Sequence, residues 1–126
     1  MTKRIKAKDV DSIVEVISVL VKSPKLETYC VGITMDAKRR RSQYKNYSVP
    51  KPWPHMIFLA FELDQSQALD LEKAVFEACT DGDKRKQLYT KYASDLRDKN
   101  HRPSTGGRPN DPKTTYCLYV SWCNAD

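Results

Sequence analysis

Tyr29-Cys30-Val31-Gly32-Ile33-Thr34-Met35-Asp36-Ala37-Lys38-Arg39-Arg40-Arg41-Ser42-Gln43-Tyr44 reads as a strand, a turn and a basic helix. The β-rich run Thr28 to Thr34, with a glycine inside it, predicts a buried strand. Asp36 can cap the helix that follows, because its carboxylate accepts from amides of the first turn. That helix runs from Ala37 to about Tyr47 and carries Lys38, Arg39, Arg40, Arg41 and Lys45. Residues four apart share a helix face, so Arg40 and Tyr44 lie together, with Tyr47 following on the same side. A guanidinium just past a strand's end can make two parallel hydrogen bonds to a phosphate. Its charge counts most as negative charge builds on a phosphorane-like transition state.

Outward from this stretch the chain alternates between the two periods of regular structure. Asp9 to Val21 places Ile13, Val16, Ile17 and Leu20 at helical spacing, although its β-branched residues also suit a strand. Ser23-Pro24 breaks the pattern. Val49 to Pro54 holds Pro50, Pro52 and Pro54 and predicts a loop, after which His55 to Leu63 is a second, more apolar strand. Asp64 with Gln67 resembles a capping box and opens a helix to about Cys79, with Ala68, Leu71, Val75 and Ala78 as its core stripe. Asp81-Gly82-Asp83 is a turn, Lys84 to Lys99 a charged surface helix resting on Leu88, Tyr92 and Leu96, and Asn100 to Lys113 a loop. Thr114 to Trp122 predicts the last strand. The expected fold is a single α/β (α+β) domain over residues 1–126, with a small, mostly antiparallel sheet of about three strands flanked by helices.

The chain of 126 residues is large enough for one core, and its 40% hydrophobic and 30% charged residues are ordinary for a folded protein. No apolar run has the length to cross a bilayer, and the basic start lacks the apolar segment of a secretory signal, so a cytoplasmic location and no membrane partner are expected. Cys30, Cys79, Cys117 and Cys123 form no CxxC pair, which favours free thiols over a metal cluster. The net charge of +6 favours an anionic partner, of which nucleic acid is the commonest.

Cys30-Val31-Gly32-Ile33-Thr34, followed by Asp36, Arg40 and Tyr44, resembles the second half of the GIY-YIG nuclease signature. That pattern is Tyr-Ile/Val-Gly, a turn, an arginine eight residues after the glycine, and His or Tyr four residues later. Glu72, on the helix opened by Asp64, is similar to the family's helical glutamate, and the resemblance spans roughly residues 28 to 122. It implies a metal-dependent endonuclease hydrolysing DNA phosphodiester bonds, with DNA as partner. Arg40 would hold the scissile phosphate and Glu72 would bind one Mg2+ or another divalent cation. A tyrosine among Tyr29, Tyr44 and Tyr116 would assist water activation. Lys38, Arg39, Arg41 and Lys45 would add backbone attraction that salt weakens. With no second DNA-reading domain, limited sequence specificity, a homodimer or a recruiting protein is expected.

Two departures stand beside the matches. Cys30 occupies the place of the second signature tyrosine, and adjacent strand residues face opposite sides, so Tyr29 does not simply substitute. No Gly-Ile-Tyr precedes it near Val16-Ile17-Ser18. Either the chain is a catalytically inactive nucleic-acid-binding module, or Thr115-Tyr116-Cys117-Leu118-Tyr119 supplies the missing strand from the C-terminus. The second account requires residues 115–120 to lie beside Gly32, and only one of Tyr116 and Tyr119 can reach a given face. Plainer fates compete for every residue: a solvated face for the cations, surface for Glu72, core for the tyrosines, and anchoring for His55, Trp53 and Trp122.

Overall fold

Helix α1, Ala7–Val21, buries Ile13, Val14, Ile17 and Val21 on one stripe, and this packing overrides the strand preference of its β-branched residues. The computed structural model describes residues 7–47, 54–93 and 115–125. After α1 come β1 (Leu26–Thr34), α2 (Ala37–Tyr47), β2 (His55–Leu63), α3 (Gln65–Cys79), α4 (Lys86–Lys91) and β3 (Tyr116–Asn124). The loop expected at 49–54, apart from Pro54, and the segment 94–114 lie outside the described residues, with Trp53, His101, Gly106 and Gly107 among them.

The helix starts follow their caps. The Arg39 amide donates to Asp36 Oδ1 at 3.0 Å, opening α2. Gln67 N donates to Asp64 Oδ1 at 2.8 Å while Asp64 N donates to Gln67 Oε1 at 3.0 Å, the reciprocal pair of a capping box. At the other pole of α1, Lys91 Nζ donates to the carbonyls of Val21 (2.8 Å) and Ser23 (2.9 Å), a cation where the helix dipole is negative.

One expected element is corrected. The helix anticipated over Lys84 to Lys99 stops at Lys91, because Tyr92 turns extended (φ −63°, ψ 139°). Ala93 N then donates to Tyr29 O at 2.8 Å, and Tyr92 lies against β1 as a parallel bridge to Tyr29. The segment thereby occupies backbone groups on the outer edge of β1, which a continued helix would leave bare.

The sheet is three-stranded and antiparallel throughout, in the order β1-β3-β2, so the C-terminal strand is central. Partners across it share a face. Tyr29, Val31 and Ile33 align with Trp122, Val120 and Leu118, and these residues line the side that packs against the helices. The other side carries Cys30 with Ser121, Gly32 with Tyr119, and Thr34 with Cys117. Residues 115–120 do therefore lie beside Gly32.

The Gly32–Tyr119 pair leaves no room for a side chain. A β-carbon on Gly32 would sit 2.6 Å from Tyr119 Cζ and 3.1 Å from Cε2. The glycine is required here for the ring lying over it rather than for its backbone freedom. Strand β2 is irregular at its far end, with register shifts between Phe58 and Ala60 and between Ala60 and Leu63. Within the second shift Glu62 adopts φ 54°, the left-handed region that a non-glycine residue enters at a cost of about 1 kcal/mol.

Gly32→Ala is expected to lower stability by about 2 kcal/mol or more in urea unfolding. Adding Tyr119→Ala should bring a smaller loss than the two single changes summed, since the second removes the clash created by the first. Additive losses would show that the ring does not restrict this position.

Candidate functional site

Glu72 departs furthest from what an isolated helical glutamate ordinarily does. It is 2% exposed, on the face of α3 that also buries Ala68, Leu71, Val75 and Cys79. Lys73 and Asp70, its neighbours in sequence, are exposed. The surface fate is thus excluded for Glu72, whose carboxylate lies between α3 and the sheet and has its Oε1 among the buried atoms.

Around the same helix face two tyrosines interlock. The Tyr92 ring meets Phe76, one turn beyond Glu72, edge-on at 5.3 Å, and meets Tyr29 edge-on at 4.9 Å. The Tyr92 hydroxyl accepts from the Val31 amide at 3.2 Å, and the Tyr29 hydroxyl donates to Leu88 O at 2.8 Å. Burial is the main reason that ionisation of Tyr29 is strongly opposed, with the Cys79 thiol beside it adding to the effect. Burial likewise raises Tyr92, followed by the nearby Cys30; the Val31 amide works the other way, and Cys79 and Glu72 contribute smaller upward pushes. The Cys79 thiol is pushed up by burial to about 11, against the opposing pull of its hydrogen bond with Tyr29 and the charge of Arg85.

Tyr116 is fully buried on the same side of the sheet, opposite Leu63. Tyr29 pairs with Trp122, six residues further along β3, so the two tyrosines stand about 20 Å apart along the strand. They do not converge on one phosphate. Tyr116 is at the end of the sheet where β1 gives way to α2, whereas Tyr29 is at the far end, tied to α4. Tyr119 faces the other side, over Gly32.

Helix α2 leaves that first end. Thr34 Oγ1 accepts from Asp36 N at 3.0 Å, and Arg40 N donates to Asp36 O at 3.0 Å, which sets Arg40 in the first turns beyond the strand. Arg40 is partly buried, while Lys38, Arg39 and Arg41 are exposed. Among the described residues none of these four cations has a carboxylate partner. Tyr44 and Lys45 follow on α2, but their side chains lie outside the described residues.

Glu72 is one carboxylate, and among the described residues no group of three or more His, Cys, Asp or Glu converges. A lone carboxylate is the donor type magnesium uses, since that ion binds through one or two carboxylates and keeps water in its other positions, but at 2% exposure Glu72 is closed off from the solvent such an ion needs. All four cysteines are free, with Cys30, Cys79 and Cys123 buried and Cys117 partly accessible. His55 stacks on Trp122 at 5.3 Å and meets Asn124 at 3.2 Å, anchoring the start of β2. Sequence reasoning missed Lys91 and Tyr92, whose contacts cross some 60 to 70 residues and have no local signature. Comparison of the chain with protein-family models, with curated proteins and with solved structures finds no match.

Because Cys79, Tyr29 and Tyr92 hold their protons more tightly when folded, the unfolded chain releases protons first as pH rises. The stability Cys79 contributes is complete below pH 9, its ordinary value, and is lost as pH climbs toward 11, with the two phenols adding to the loss above pH 10. Thermal melts from pH 8 to 11 should show a falling Tm, less steep in Cys79→Ala. In native protein a thiol reagent at pH 8 should modify Cys117 first, and reach Cys79 only on unfolding.

Proposed function

We propose that this chain is a metal-dependent endonuclease that engages DNA through α2 and hydrolyses phosphodiester bonds. The observation that carries the reading is the basic face of α2 at the end of β1, with Lys38, Arg39 and Arg41 in water and Arg40 partly buried. Glu72, on the α3 face that buries Ala68, Leu71 and Val75, is the carboxylate the reading uses, and holding a hydrated ion requires that face to open. Lys38, Arg39 and Arg41, exposed and without a carboxylate partner among the described residues, suit the sequence-independent attraction of a phosphate backbone. Arg40, partly buried at the root of the helix, is the guanidinium that would orient one phosphate. Glu72 would hold the magnesium. When bound, that ion would polarise a phosphate oxygen and offset charge on the leaving oxygen. Residues 115–120 beside Gly32 support the view that the C-terminal strand takes the place of an absent N-terminal one, which makes Tyr116 rather than Tyr119 the strand tyrosine on the Glu72 side.

A second reading has its own support. Tyr29 and Tyr116 are both fully buried, and the Tyr29 hydroxyl is committed to Leu88. A nucleic-acid-binding module without hydrolytic activity would keep these phenols as packing and use α2 alone.

Supercoiled plasmid incubated with the protein and magnesium should be nicked, and a chelator should stop it. Arg40→Ala and Glu72→Gln should each slow nicking by about 10²-fold or more. Salt-dependent binding without nicking in the unaltered chain selects the second reading, and absence of both binding and nicking refutes the two together.

A further inference from the structure

Phe61 stands out among the apolar residues of the sheet, because it is 61% exposed while Phe58 beside it is half-buried. The two rings lie 6.3 Å apart, and Phe58 in turn meets Tyr119 edge-on at 6.5 Å. Phe61 thus ends an aromatic row that starts over Gly32 and crosses the sheet on the side away from α3. Its outward aim is built into the backbone. Phe61 falls within the second register shift of β2 and directly precedes Glu62, the one non-glycine residue with positive φ among the described residues. A bulge re-aims the side chains it contains, and strain of this kind persists where the surroundings impose it.

The position of that ring relative to charge suggests its use. Leu63 pairs with Tyr116, and Cys117 with Thr34, so Phe61 is at the end of the sheet from which α2 departs. Strands β1 and β2 are separated only by β3, a distance of about 10 Å. An exposed aromatic ring and a row of exposed cations, Lys38, Arg39 and Arg41, therefore share one end of one small sheet. Cations attract phosphates, and a flat ring attracts the face of an unpaired base irrespective of its sequence. A duplex buries those faces in its own stack, and a single strand presents them.

We infer that Phe61 is a base-stacking platform, and that the nucleic acid held here is single-stranded, at least over the nucleotides that meet β2. This rests on the nucleic-acid part of the proposed function and is independent of whether the chain hydrolyses anything. A second copy of the chain covering Phe61 is the competing occupant.

The test is fluorescence anisotropy with the full chain, using a labelled oligo-dT and a labelled duplex of equal length over a salt series. Phe61→Ala should weaken oligo-dT binding roughly 5- to 100-fold, leave duplex binding unchanged, and keep the salt slope. Phe61→Trp should retain the affinity. Arg39→Ala, by contrast, should reduce the salt slope for both probes. Equal effects of Phe61→Ala on the two probes, or none on oligo-dT, overturn the inference. So does a concentration-dependent dimer in sedimentation that Phe61→Ala abolishes. If the chain binds oligo-dT through Phe61 and never nicks plasmid, this inference stands and the hydrolytic reading falls.

Discussion

The backbone pairing of β3 with both β1 and β2 is the constraint on which the rest of the molecule depends, because β1 and β2 make no ladder with each other. Strand β3 joins the two strands that precede it, closing sequence separations that run from 53 (Leu63 with Tyr116) to 98 (Leu26 with Asn124). Such long-range pairing gains nothing locally and sets in only after its loop entropy is met. Helix α3 packs across β1, β3 and β2, and α2 extends from the end of β1. Glu72 is thus placed by the packing of α3 on the sheet, and Arg40 by the continuation of β1 into α2. Tyr119 lies over Gly32 and closes the space at the β1–β3 seam.

Charge is divided between two environments. Lys38, Arg39 and Arg41 on α2 stand in water, where they cost little and act at a distance limited by salt. Glu72 stands in the interior, where desolvation dominates and any group of opposite charge would act strongly. The neighbouring phenols and thiols share that interior, and burial is the first cause of every upward shift among Tyr29, Tyr92 and Cys79. The net charge of +6 thus understates the local contrast between the exposed cations of α2 and an interior that, among the described residues, holds one carboxylate beside several protonated acids.

Much of the fold was legible because local chemistry agreed with it. Asp36 and Asp64 capped the helices they were expected to cap, and the apolar runs became strands. Arg40 and Glu72 were singled out by a resemblance to a family signature, and the structure adds that Glu72 is buried beside Leu71, which the helical period alone does not reveal. The early end of α4 was illegible for a definite reason. Leu88, Tyr92 and Leu96 have helical spacing, yet Tyr92 serves the open edge of β1, a tertiary demand that overrides periodicity. The bulges of β2 were equally hidden, because HMIFLAFEL alternates too weakly to show where its register slips.

The tyrosines can be sorted by what each is already committed to. A phenol assists water activation by exchanging a proton with it, so it must reach water and must ionise or donate at moderate cost. Tyr29 meets neither condition: its hydroxyl is given to Leu88 O and its ionisation is opposed by burial, at the end of the sheet remote from α2. Tyr92 is held in the same cluster, accepting from Val31. Tyr119 faces the wrong side of the sheet for Glu72. Geometry leaves Tyr116, at the α2 end of the sheet and on its helix-covered side; Tyr44 stands one turn beyond Arg40 on α2, and its side chain lies outside the described residues. Tyr116 is fully buried, so any exchange of a proton with water requires that end of the sheet to open. The strand tyrosines therefore serve as packing in the sheet as it stands, each closed off from solvent by the strands and helices around it.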